Sequence, residues 1–135
     1  MPQSHLSLQV TQWVTDELAL ALDCDFGYDS DDPLAVSLDF ATDGTRSVRW
    51  VFARSLLAEG MTARTGEGDV ALWPVHGEGG DPDAFQVLLG GARRALVEID
   101  AGPVAEWLAD TCALVPPGTE LDGVDWDALV AELTE

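Results

Sequence analysis

The sequence predicts an α+β domain in which antiparallel strands pair in hairpins, one short helix interrupts them, and two helices close the chain. Three observations carry this. Apolar residues alternate with polar ones from about residue 4 to residue 100, the period-two mark of half-buried strands. Clusters of Gly, Asp and Pro punctuate the runs where hairpins would turn. After residue 100 the apolar spacing becomes helical. Strands first and helices last is the order of an α+β domain rather than of alternating βα units. Neither a repeat nor a linker composition divides the chain, so residues 1–135 read as a single domain.

Leu6, Leu8 and Val10 make the first strand, Thr15-Asp16-Glu17 the turn, and Leu18, Leu20, Leu22, Cys24 and Phe26 the return. Gly27 to Pro33 is a loop by composition. Leu34, Val36, Leu38 and Phe40 alternate next, Asp43-Gly44 is a hairpin turn, and the return strand points Val48 and Trp50 inward. From Phe52 the period is helical. Phe52, Leu56 and Leu57 share a face, Arg54 and Ser55 point away, and Gly60 is placed to stop the helix. A helix this short depends on packing for its stability. Gly66-Glu67-Gly68 is a turn, and Asp69 to Val75 is a strand with Val70 and Leu72 on one side, Ala71 and Trp73 on the other.

Gly77 to Asp83 is the longest loop. It leads to a third hairpin, with Phe85, Val87 and Leu89 going out, Gly90-Gly91 turning, and Ala95, Val97 and Ile99 returning. Gly102-Pro103 opens an amphipathic helix on Val104, Trp107, Leu108, Thr111 and Val115, which Pro116, Pro117 and Gly118 end. Asp125 is a suitable N-cap for a last helix with Trp126, Leu129, Val130 and Leu133 on one face.

Charge excludes several function classes. Six cations, all Arg, stand against 25 acids, for a net charge of −19. Such a surface repels phosphate, which opposes nucleic acid and anionic membranes as partners. No apolar run reaches the roughly 18 residues of a membrane span, and the first residues, MPQSHLSLQV, lack the basic-then-apolar pattern of a signal peptide. The expected location is cytoplasmic. Cys24 and Cys112 stand alone in apolar surroundings and are expected to be buried, reduced thiols.

Chemistry-bearing motifs are missing. The acids of Asp29 to Asp32 lack the spacing and flanking helices of a calcium loop. The glycines of residues 66–68 lead into a strand with no Lys-Ser/Thr after them, unlike a phosphate loop. His5 and His76 have no ligand at metal spacing, and no nucleophile elbow occurs. The expectation is a non-enzymatic interaction domain without cofactor or metal.

The stretch Val48–Pro74 gathers Arg49, Arg54 and Arg64 with Trp50 and Trp73, and Arg46 lies beside it. Most of it reads as scaffold: Trp50, Phe52, Leu56 and Leu57 inward, Gly60 and Gly68 at chain reversals, Trp73 and Pro74 in a strand. Arg49, Arg54 and Arg64 are the partner-contact candidates, one cationic spot on an acidic body that acidic surfaces of a partner would fit; ion pairs with the surplus acids are the plainer alternative.

Three separated blocks, YDSDDPLAV (from Tyr28), WVFARSLLAEG with TGEGDVALWP (Trp50 to Pro74), and VPPGTE (Val115 to Glu120) followed by Trp126, resemble the SsgA-like proteins of filamentous actinobacteria in order and spacing. The resemblance implies an antiparallel α+β fold similar to the whirly single-strand-binding proteins, assembled as a homotrimer. It implies a non-enzymatic role in sporulation-specific septation, at division septa, with the tubulin-like protein FtsZ and other SsgA-like proteins as partners. Within the family, the SsgB type is the one implied to bring FtsZ to septum sites. Whirly likeness would suggest single-stranded nucleic acid; the charge opposes it.

Overall fold

The computed structural model describes residues 2–42, 46–76, 82–91, 94–122 and 126–134. The strands are β1 (Gln3–Trp13), β2 (Ala19–Asp29), β3 (Ala35–Thr42), β4 (Arg46–Ala53), β5 (Thr65–Glu67), β6 (Val70–His76), β7 (Pro82–Leu89) and β8 (Ala95–Asp100). Helix α1 (Arg54–Gly60) separates β4 from β5, α2 (Ala101–Leu114) follows β8, and α3 (Trp126–Thr134) comes last. The expected α+β class, with one internal helix and two terminal ones, is what the chain adopts.

Strand order is β4-β3-β2-β1-β8-β7-β6-β5, antiparallel throughout. The chain thus makes a four-stranded meander and a helix, then a second meander and a second helix. Among the described residues, the meanders pair within the sheet only between β1 and β8, at Thr11–Glu98, Gln12–Val97 and Trp13–Leu96. Inward residues from both, among them Phe26, Leu38, Leu72, Phe85, Val87 and Ile99, form one core with Leu57 of α1 and Val104 of α2. Each such side chain contributes about 1.5–3 kcal/mol by leaving water. Trp107 of α2 stands edge-on to Phe26, centroids 5.7 Å apart.

Helix α2 matches its sequence pattern at Val104, Trp107, Leu108 and Thr111, which are buried, but not at Val115, which is extended because Pro116 follows it, and so ends the helix. Pro74 is tolerated inside β6 because β5 covers only Val70 to Leu72, leaving β6 an edge strand beyond.

Several expectations need correction. Gly27, Tyr28 and Asp29 belong to β2, not to a loop, because β1 reaches back to pair with them. Phe52 lies in the last stretch of β4, opposite Val36, instead of starting α1; ladder pairing outweighs the local helical spacing. Arg54 points into the body. Gly60 does end α1, but the cap that follows, Met61, is right-handed (φ −77°). A Cβ on Gly60 would stand 2.3 Å from the Leu72 Cβ, so Gly60 lets the helix approach the sheet. Gly66 lies in β5, and the turn sits at Gly68, whose φ is +59°.

Exposure differs too. Val48 is 45% exposed and Leu18 and Leu20 about half exposed, because the edge strand and the first hairpin's tip run beyond the core. Cys24 is buried, whereas Cys112 is only partly so. Val130 and Leu133 of α3 are exposed. The Asp43-Gly44 turn, residues 77–81 of the long loop, the Asp125 cap, and the side chains of Trp126 and Leu129 lie outside the described residues.

Candidate protein-interaction surface

The three candidate arginines occupy three different environments. Arg54 opens α1 and is 4% exposed. Its backbone N–H donates to the Leu34 carbonyl at 2.8 Å. Its Nη1 donates to the Thr111 carbonyl of α2 at 3.0 Å, and its guanidinium lies over the Tyr28 ring, 4.9 Å from the centroid. Nη2 has no hydrogen-bond acceptor and stands 3.6 Å from Glu120 Oε2, a charge contact only. Arg54 is therefore a buried tie rather than an exposed contact. The blocks around Tyr28, Arg54 and Glu120, far apart in sequence, converge on it.

The surroundings are shaped for that cation. The Tyr28 hydroxyl donates to the Pro33 carbonyl at 2.9 Å, and burial pushes its pKa up against the opposing pull of Arg54. Gly118, at φ +90°, swings the chain after α2 so that Glu120 folds back. Hydrogen bonds from its own N–H and that of Gly118, with Arg54 nearby, hold the Glu120 carboxyl below its usual range. Sequence reading missed Tyr28, Thr111 and Glu120 as partners of Arg54. One signal was available: Arg54 precedes Leu57 by three residues, so a helix places both on one face.

Arg49 lies on the outward face of β4, its side chain 66% exposed, and forks onto Asp39 of β3 through Nε (2.8 Å) and Nη2 (3.0 Å). Asp39 is opposite Asp25, itself opposite Ser7, whose hydroxyl donates to the Asp25 carboxylate. Arg49 thus offsets a like-charge cross-strand pair, and its hydrogen bond holds the Asp39 pKa down. Beside them Cys24 is pushed up to about 12, by burial first and then by Asp25 and Asp39. The thiol is therefore protonated at neutral pH.

A second outward ladder crosses the other meander. Exposed Arg64 lies over the Trp73 ring at 5.2 Å. Trp73 Nε1 donates to Gln86 Oε1 at 2.8 Å, and Gln86 Nε2 donates to Glu98 Oε1 at 3.0 Å. Arg49 and Arg64 line separate clefts, the first with His5 and Asp29, the second with Asp69 and Arg94. The single cationic spot expected from sequence is absent: Arg54 is inside, and Arg49 is tied to Asp39.

Between the two ends of the sheet runs a groove of about 400 Å³. Trp50, Phe52 and Ala53 of β4 and Leu56 of α1 form one wall; Glu67, Asp69 and Val70 form the other. Among the described residues, no group of three or more His, Cys, Asp or Glu is arranged to hold a metal, and no helix is long and apolar enough to cross a membrane.

Residues 22–120 match the family model described as Streptomyces sporulation and cell division protein, SsgA. The chain belongs to the SsgA family. It is 42% identical to the sporulation-specific cell division protein SsgB of Streptomyces coelicolor, across 84% of this chain and 82% of that one. It is 36% identical to the SsgB of Thermobifida fusca, across 88% and 86%. The crystal structure of an SsgA-like sporulation-specific cell division protein from Thermobifida fusca superimposes with a TM-score of 0.84 at 32% identity, covering 98% of this chain and 96% of that one. A second solved structure, from work correlating SsgB mutations with longitudinal cell division during sporulation of Streptomyces coelicolor, gives 0.81 at 37% identity, covering 88% and 94%. The SsgA-family resemblance seen in the three sequence blocks is thus confirmed over nearly the whole chain.

Proposed function

We propose that this SsgA-family chain is a non-enzymatic adaptor of sporulation-specific septation that recruits or positions FtsZ at septum sites through protein–protein contacts. The observation that carries this is its similarity, across more than four fifths of its length, to proteins named as SsgB, sporulation-specific in cell division. The acidic body fits a binding role.

The working unit in this reading is a cytoplasmic homotrimer at the division septum, which also meets other SsgA-like proteins. Three copies of one weak surface bind a polymer more tightly than one copy does, because the second and third contacts form at high effective concentration. Arg64, and Arg49 if a partner carboxylate shares it with Asp39, are the candidate contacts for acidic partner surfaces; Arg54 serves by holding the frame. The whirly-type reading of the fold belongs to the same proposal. Single-strand binding of that type is the alternative function, and the charge of −19 weighs against it.

Co-sedimentation with purified FtsZ polymers tests the proposal. The chain should pellet with the polymer, and Arg49→Glu combined with Arg64→Glu should weaken it about tenfold, as loss of two rim ion pairs does. A mobility assay with single-stranded DNA at low salt tests the alternative. Binding there, with none to FtsZ, would reverse the choice.

A further inference from the structure

We propose that the free edge of β4, with the groove beside it, docks an extended segment of a partner protein as an added β-strand. That segment is apolar at alternate positions and basic between them.

β4 ends the sheet, so one side of its backbone has no neighbour among the described residues. The bond from Arg54 N–H to the Leu34 carbonyl sets the parity of the β3–β4 ladder. Residues 48, 50 and 52 then bond to β3, and the N–H and C=O groups of Ser47, Arg49 and Val51, with the N–H of Ala53, point outward; the Ala53 carbonyl belongs to the N-cap of α1. Eight residues with an unbroken register make a long, regular edge.

Natural edge strands are blunted by lysine, proline, bulges or a covering element. β4 carries no lysine, proline or bulge. Its exposed Arg49 is neutralised by Asp39, while Val48 and Val51 are 45% and 55% exposed. An unprotected apolar edge on a chain otherwise kept soluble by its charge marks a binding edge rather than a defect.

The groove specifies the side chains. Residues of the added strand that turn toward the core meet Trp50, Phe52 and Val70 and must be apolar. The rim across from β4 carries exposed Glu67 and Asp69, which favour lysine or arginine. The sheet cannot close on itself to fill the gap, because β5 offers only three residues against the eight of β4. A second copy fits the rim poorly because none of its described strands alternates apolar with basic residues.

The probe is a nine-residue synthetic peptide of alternating lysine and valine, titrated into the ¹⁵N-labelled full chain. Amide shifts should concentrate on Ser47, Arg49, Val51 and Ala53 and on the groove wall. The Val51→Pro variant removes an outward N–H and leaves the β3 ladder bonds in place, so the chain should fold and bind about tenfold more weakly. Glu67→Lys with Asp69→Lys, two exposed sites, should weaken binding by a similar factor and decides the matter if Val51→Pro misfolds. The same peptide with glutamate for lysine should not bind.

No binding, equal binding to both variants, or shifts spread over the acidic surface would overturn the proposal. So would a loss of assembled mass in Val51→Pro by light scattering, which would mean that a second copy occupies the edge. Because the probe is synthetic, its failure is separable from failure of FtsZ sedimentation.

Discussion

Of the cations whose side chains are described, Arg54 is the one buried, and what it holds explains why a charge is kept there. It joins the end of β2, the start of α1, a carbonyl of α2 and the turn after α2. Replacing it with methionine removes a donor from Thr111 and leaves Glu120, 17% exposed, without its counter-charge. We expect a loss of about 2–4 kcal/mol in urea unfolding, and a smaller loss for Glu120→Gln, which keeps the shape. Arg49 behaves differently because it is exposed. Its bond lowers the folded pKa of Asp39, so the stability it contributes is present above the unfolded carboxylate value of about 4 and is lost as pH falls through the lowered folded value. Arg49→Gln should therefore be less stable than the natural chain at neutral pH, and the difference should vanish in acid, below the folded Asp39 value. Thermal unfolding at a series of pH values checks it. Beyond the helical spacing that puts Arg54 on the face of Leu57, none of these partners was legible in the sequence. The acceptor of Arg54 lies 57 residues away, and local spacing carries no information at that range.

At the scale of elements the sequence was far more informative. The strands rest on alternation and turns, which are local, and each hairpin partner is the next strand along. What local reading missed was where pairing extends beyond pattern. Tyr28 is strand because β1 is long enough to meet it, and Phe52 is strand because Val36 sits opposite. α1 was visible, but the reason for Gly60 was not. It is a close approach to Leu72, a residue twelve positions on and fully buried. Gly60→Ala, a favourable change in an isolated helix, should here cost about 1–3 kcal/mol by overpacking. Pairing it with Leu72→Ala should give a double-mutant cycle in which the two losses are not additive.

At the scale of the molecule, two meanders share one core but touch along only three residue pairs of the sheet. Neither the eight-strand order nor that narrow seam could be read from periodicity, because Thr11 and Glu98 are about 90 residues apart and closing such a loop leaves no local trace. Val97 sits at the seam, opposite Gln12 and Val87, and is 2% exposed. Val97→Ala should cost about 2 kcal/mol. Stopped-flow chevrons should place that cost almost wholly in faster unfolding, because the seam closes after the hairpins on either side have formed. The seam also orders events during synthesis. The first meander is complete once Ala53 has left the ribosome, yet its β1 side stays open until β8 and α2 follow. For that interval β1, as well as β4, is an open border of the nascent chain, and the exposure of β1 lasts as long as the translation of the second meander.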